Sequence, residues 1–242
     1  MIKNQPIIGH VLRHFAKQKP RPNLWVKEEV KDAVINNGGM VIGIMPPPME
    51  MIVVNSVNER YIYENLDKLI SKENKQLLID EIEMCDGIIL QGGEIADVHE
   101  VFIAKYCYEH NIPLLGICEG QSNLLRGIGG TTRRVDNAEK HNQSDATYVH
   151  DIIIQKNSLL YKIVGKTKIK VNSRHNYTPC DVAGLTISAY DDDGNIEVVE
   201  AADKKFYLGM RYHPESLAPF DKNHNKIFEY FVQVCKENSN SN

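Results

Sequence analysis

Residues 114–123, LLGICEGQSN, place Cys118 at the end of an apolar run, with Gly116 and Gly120 two residues to either side. A buried cysteine ordinarily acts as a small hydrophobe, whereas a cysteine at a sharp strand-to-helix turn can be a nucleophile. The local pattern leaves both readings open. Glycines relieve the crowding of such a turn, and a helix N-terminus aimed at the sulfur would favour the thiolate. Far downstream, residues 208–216, LGMRYHPES, end an apolar run at His213-Pro214-Glu215. Histidine titrates in the range needed to take a thiol proton and return it to a leaving amine. A carboxylate two residues on, Glu215, could reach the imidazole, fix its tautomer and stabilise its cation. Alone, His-Pro-Glu reads as an ordinary surface turn. The third piece is residues 90–93, LQGG. The backbone N–H groups of Gly92 and Gly93, with that of Glu119 just after the cysteine, are candidates for an oxyanion hole. All three pieces fall at the C-terminal ends of expected strands, where open α/β sheets bind ligands.

The elements that must position these residues follow from the hydrophobic pattern. Residues 6–12 (PIIGHVL), 40–45 (MVIGIM), 87–90 (GIIL) and 113–117 (PLLGI) are short apolar runs of the kind buried on both faces of a parallel sheet. Helical spacing separates them over 24–35, 72–84 and 97–110, with Gly38-Gly39 as a stop signal. Residues 51–71 read either as a short hairpin (MIVV, then RYIY) or as the start of a helix. In the second half, residues 149–154, 168–171, 185–190, 196–200 and 206–212 read as strands, several with apolar and polar residues alternating as in antiparallel or edge strands. Residues 226–236 read as a closing helix. Strand–helix alternation followed by strands predicts a flavodoxin-like three-layer α/β sandwich, with a mostly parallel central sheet and a small antiparallel extension. No repeat or linker interrupts it. One domain is expected over residues 1–237, with a disordered polar tail at 238–242.

Composition narrows the function class. The chain has 242 residues, is 42% hydrophobic and carries a formal charge of −4. Charges are interspersed, so no basic face for nucleic acid is expected, and Arg133-Arg134 is an isolated pair. No run approaches the ~18 apolar residues of a membrane span, and the N-terminus does not resemble a signal peptide. Five cysteines at 85, 107, 118, 180 and 235 show no CxxC spacing, which argues against a disulfide framework and a zinc cluster. A soluble protein of a reducing, cytoplasmic compartment is expected, with no metal. Asp191-Asp192-Asp193 superficially looks like a calcium loop but lacks the later glutamate ligand, so a solvated turn is expected. Among the histidines, His175 alone is expected near the site besides His213. His10 is read as structural, and His99, His110, His141, His150 and His224 as surface residues.

LQGG, GICEG and GMRYHPES, in that order, resemble the class I glutamine amidotransferases. Within that superfamily the chain is most similar to the gamma-glutamyl-gamma-aminobutyrate hydrolase group of cysteine peptidases. VINNGGMVIGIMP resembles the group's A-G-G-x-P-x-x-L-P segment, VNSRHNY its V-N-S-x-H-x-Q segment, and DDDGNIEVVE its S-x-D-G-x-V-E-A-x-E segment. The resemblance covers residues 6–234. It implies Cys118 as nucleophile, His213 as base and Glu215 as its orienting carboxylate, with Gly92 or Gly93 and the backbone of Glu119 forming the oxyanion hole. It also implies that Asn172, Ser173, Arg174 and His175 line a pocket for a glutamyl head group. The implied chemistry is hydrolysis of a γ-glutamyl amide through a thioester, with no cofactor.

The chain also departs from the family. Ser122 stands where the family has a substrate-contacting glutamine, and Gln121 lies one residue early, about 100° away around a helix; both are carried as substrate-binding candidates. Glu119 replaces the arginine common in the hydrolase group and is expected to enter a salt bridge. The loop after the glycine turn is short, so residues 46–71 are expected to rebuild a wall of the cleft. A free-standing hydrolase of a small-molecule γ-glutamyl amide is favoured. A glutaminase passing ammonia to a synthase partner is the first alternative, and a catalytically silent binding protein of the same fold is the second. Base rates make a homodimer the default assembly.

Overall fold

The computed structural model describes residues 5–14 and 23–239. Nine strands form the central sheet: β1 (Ile7–Val11), β2 (Met40–Ile44), β3 (Gly87–Leu90), β4 (Leu114–Ile117), β5 (His150–Ile154), β6 (Lys168–Val171), β7 (Thr186–Asp191), β8 (Ile196–Glu200) and β9 (Tyr207–Met210). Their spatial order is β6-β5-β7-β8-β9-β4-β3-β1-β2. The five strands from β9 to β2 run parallel, and the remaining four extend the sheet antiparallel from β9. The fold is a flavodoxin-like α/β sandwich. The alternating runs of the second half join the same sheet as its antiparallel extension.

Helices cover both faces, and two apolar cores lie between them and the sheet. On one face pack α1 (Glu28–Asn36), α7 (Leu159–Val164) and α9 (Lys222–Ser239). On the other pack α2 (Glu59–Leu69), α3 (Lys72–Glu83), α4 (Val98–Glu109) and α5 (Glu119–Arg126). Two short helices, α6 (Ala138–His141) and α8 (Pro214–Leu217), lie on the loops. Helix α1 stops where Gly38 takes φ +88 and the Gly38 and Gly39 amides donate to the Ile35 and Val34 carbonyls. Helix α4 starts with a capping box between Asp97 and Glu100.

Residues 51–71 form no hairpin. Val53–Val54 is a two-residue strand against Ala96–Asp97, and RYIY lies inside α2. Glu59, Ile62 and Leu66, spaced three and four apart, are buried together, so the helical period prevails there. Helix α9 continues through Asn238 and Ser239, into the segment expected to be disordered. Lys205 Nζ donates to the Asn238 side chain, whose amide donates to the Asp86 carbonyl at 3.1 Å. The rest of that segment, 240–242, lies outside the described residues. His99, His141 and His224 are buried rather than exposed, whereas His110 is exposed as expected. Burial of His10 fits its structural reading; its ring lies 3.1 Å from Gln91 Oε1.

Candidate active site

Strands β4 and β9 are parallel neighbours that end at the same level, Ile117 opposite Met210. Cys118 follows β4 directly, its amide donating to the Met210 carbonyl at 2.7 Å. It caps α5 with φ 53 and ψ −109, a left-handed conformation that a non-glycine residue adopts only at a tightly constrained turn. The flanking glycines make the turn feasible. A Cβ on Gly120 would lie 1.9 Å from the Leu90 carbonyl oxygen, and one on Gly116 would lie 2.7 Å from the Gly120 carbonyl oxygen.

From β9 the chain passes through Arg211 and Tyr212 to His213, which caps α8 with Pro214 in the first turn. Asn172, at the end of β6, clamps the His213 backbone from both sides: its Oδ1 accepts from the His213 amide and its Nδ2 donates to the His213 carbonyl, each at 2.8 Å. The imidazole and the Cys118 side chain both pack against Gly92, and His213 Nδ1 lies 2.7 Å from Glu215 Oε1. Glu215 is fully buried. Gly92 sits against the pair, so a Cβ there would be 2.8 Å from His213 Cε1 and 3.1 Å from Cys118 Cβ.

The electrostatics favour an ion pair. Burial pushes the Cys118 thiol up, but the His213 imidazolium and the Arg211 guanidinium outweigh it and bring the thiol down to about 6. Burial pushes His213 down, but Glu215 and the thiolate raise it to about 9. Glu215 falls to about 2 despite its burial, chiefly because of His213. Thiolate, imidazolium and carboxylate are thus aligned at neutral pH. Such an arrangement can attack an amide carbonyl and protonate the amine that leaves. Glu119 is the first residue of α5, so its amide is one of the N–H groups that lack an acceptor within the helix.

A cleft of about 660 Å³ opens onto Cys118 and His213. Its cationic lining comprises Lys27, Arg126, Arg174 and Arg211, and Val54, Asn55 and Ser56 form one wall. Of residues 46–71, these three line the cleft. Glu119 forms the expected salt bridges, to Arg126 Nη1 at 2.5 Å and Arg211 Nη2 at 3.7 Å. Burial pushes its carboxyl up, yet these arginines hold it below the usual range, leaving a half-buried anion that tethers both guanidiniums. Of the remaining candidates, Arg174 and His175 line the cleft, as do Gly93 and Glu119. Gln121 does not; it points under the sheet, where Nε2 donates to the Glu197 and Gly209 carbonyls. Ser122 is buried behind Cys118 and accepts from Arg211 Nη1 at 2.8 Å, and Ser173 is fully buried.

Two residues near the reacting pair were given no role in sequence, although Arg211 lies within GMRYHPES. Arg211 Nη2 lies 3.9 Å from Cys118 Sγ, and Lys27 Nζ lies 3.4 Å from Glu215 Oε1. Strand parity was an available signal for Arg211, since it stands two residues before His213 in the strand-end run. Lys27 had no such signal. It is brought in by Gln91, whose carboxamide accepts from the Lys27 amide at 2.6 Å and donates to the Trp25 carbonyl at 2.9 Å.

Fold and site together define a class I glutamine amidotransferase-like architecture. The chain belongs to the peptidase C26 family, whose model matches residues 94–215. It is 29% identical over 175 residues to the CTP synthase of Sulfurisphaera tokodaii, covering 59% of this chain and 33% of that protein. It is 28% identical over 147 residues to protein NtpR of Enterococcus hirae, covering 57% of this chain and 61% of that protein. The chain thus spans about a third of the length of the CTP synthase and under two thirds of NtpR. Its fold superposes on the glutaminase domain of Trypanosoma brucei CTPS, solved with bound acivicin, with a TM-score of 0.62 at 17% identity over 96% of this chain and 94% of that chain. No helix among the described residues is long and apolar enough to cross a membrane.

Proposed function

We propose that this chain is a cysteine-dependent amidase, a single catalytic unit over residues 1–237, that cleaves γ-glutamyl amides through a thioester on Cys118. The observation that carries the reading is the aligned Cys118, His213 and Glu215 set, with the thiol lowered to about 6 beside an imidazolium. The Cys118 thiolate attacks the γ-carbonyl carbon. The N–H groups of Glu119 and of Gly92 or Gly93 hold the oxyanion, and His213 gives its proton to the departing amine. Water, deprotonated by His213, then attacks the thioester and releases glutamate and the thiolate. Arg174 suits the substrate α-carboxylate: it lines the cleft, and its Nε is buried without a hydrogen-bond partner.

A second reading is a glutaminase that supplies ammonia to a synthase. It is favoured by the CTP synthases among the relatives, of which this chain matches about a third. Incubation with acivicin tests the nucleophile. Covalent labelling of the wild type and its loss in Cys118→Ala are expected, and equal labelling of the two proteins overturns the assignment. Turnover of γ-glutamyl putrescine, γ-glutamyl aminobutyrate, polyglutamate and glutamine then separates the readings. Glutamine turnover that rises only with an added synthase supports the second.

A further inference from the structure

Behind the wall of the cleft lies a group of side chains that the proposed reaction does not use. His141 at the end of α6, His150 at the start of β5, His175 after β6 and Glu197 in β8 each offer a ligand atom, and these atoms all lie within 4.8 Å of one another. The residues come from four separate stretches of chain. The backbone brings two of them together: the His175 amide donates to the His141 carbonyl at 3.1 Å, and Asn142 and Arg174 form an isolated bridge. His175 Nε2 is 3.2 Å and His150 Nε2 3.8 Å from Glu197 Oε1.

The cluster is polar and poorly satisfied, with His141, His175 and Glu197 buried and His150 half-buried. Glu197 is fully buried, and neither of its carboxylate oxygens accepts a hydrogen bond among the described residues. The same holds for His141 Nδ1, His150 Nε2 and both ring nitrogens of His175. Buried polar groups of this kind are ordinarily hydrogen-bonded, so orphans converging on one point call for a common partner. Three imidazoles and one carboxylate match the donor preference of zinc and similar divalent ions. We propose that His141, His150, His175 and Glu197 form a binding site for a divalent metal ion of the zinc class.

Outer contacts fit that role. His150 Nδ1 lies 3.1 Å from the Asp151 carbonyl, which fixes the tautomer leaving Nε2 with its lone pair toward Glu197. Asp191 Oδ2 lies 3.5 Å from His141 Nε2 and supplies a second negative charge. Tetrahedral ligands about 2.0–2.1 Å from zinc stand about 3.3 Å apart, so His175 and Glu197 are already at that spacing and the wider pairs must close by up to about 1.5 Å. An entry path exists as well. A separate cleft of about 260 Å³ is lined by His141 and His150 and edged by Asp191, Asp192 and Asp193. The acidic turn at its mouth, unsuited to calcium, attracts cations toward the histidines. With four protein ligands the site is closed, so the ion is structural. It ties α6, β5 and β8 to His175, whose neighbour Arg174 faces the catalytic cleft.

The test is metal binding by the whole chain and does not depend on the proposed reaction. Protein stripped with chelator is titrated with zinc chloride, with bound metal read by atomic absorption and stability by thermal melting. One ion per chain and a concentration-dependent rise in Tm are expected, in the wild type and equally in Cys118→Ser. His141→Gln and His150→Gln, which keep volume and polarity, are expected to weaken binding by more than about tenfold while retaining the wild-type circular dichroism. Cobalt substitution is expected to give d–d bands without a thiolate charge-transfer band. Absence of stoichiometric zinc overturns the site. So does binding that survives both histidine variants, or binding lost in Cys118→Ser, which would place the ion at the catalytic thiol.

Discussion

Cys118 and His213 titrate against each other, and their pH dependence is the residue-scale prediction. Below about 6 the thiol is protonated and the nucleophile is lost. Above about 9 the imidazolium loses the proton that the leaving amine needs. The kcat/KM of the proposed amidase is therefore expected to be bell-shaped, with apparent limbs near those values belonging to the coupled pair. Glu215→Gln removes the anion that raises His213, so the alkaline limb is expected to move down. A profile unchanged in that variant would show that Glu215 does not tune the imidazole. Arg211 acts on the acid limb, and Ser122 holds it there through the 2.8 Å hydrogen bond to Nη1. The serine that replaces the family's glutamine has thus become a support for the cation beside the thiol.

At the scale of elements, the turn between β4 and α5 depends on close backbone approach. A methyl on Gly120 would meet the Leu90 carbonyl oxygen at 1.9 Å and its carbon at 2.6 Å, both on the neighbouring strand β3. Backbone must shift to admit it, so Gly120→Ala is expected to lower stability by about 1–3 kcal/mol, read as a reduced urea midpoint with unchanged slope. Wild-type stability would mean that α5 can tilt freely. These elements were legible in sequence because each signal was local. The apolar runs ended in glycine turns, and Cys118, His213 and Glu215 stood at strand ends in a recognisable order. Residues 51–71 were ambiguous because MIVV and RYIY carry strand propensity, and the helix forms only because Glu59, Ile62 and Leu66 find partners across the fold. Lys27 and the buried His141 were illegible for the same reason. Nothing in their own neighbourhoods announces which distant groups they meet.

At the scale of the whole molecule, α2 is tied to the site through a buried charge relay. Glu59 accepts from Arg126 Nε at 3.0 Å, from the Thr132 amide at 2.6 Å and from Thr132 Oγ1 at 3.0 Å. Arg126 in turn reaches Glu119 at the lip of the cleft. Glu59→Ala leaves Arg126, 3% exposed, with Glu119 as its remaining carboxylate but without an acceptor for Nε, and a loss of about 1–3 kcal/mol is expected in chemical denaturation. A loss below about 1 kcal/mol would show that water or Glu119 alone satisfies Arg126.

The residues proposed as nucleophile and base hang from β4 and β9, joined rung by rung from Leu114 with Tyr207 to Ile117 with Met210. Their separation is therefore ruled by the spacing between adjacent strands, about 4.8 Å, rather than by any loop. A ruler of that kind does not stretch when the surrounding loops are rewritten. The cleft wall can be exchanged, a glutamine turned inward and an arginine swapped for a glutamate, while thiol and imidazole keep their distance. In such a protein the reaction is inherited with the sheet, and the choice of substrate is free to drift around it.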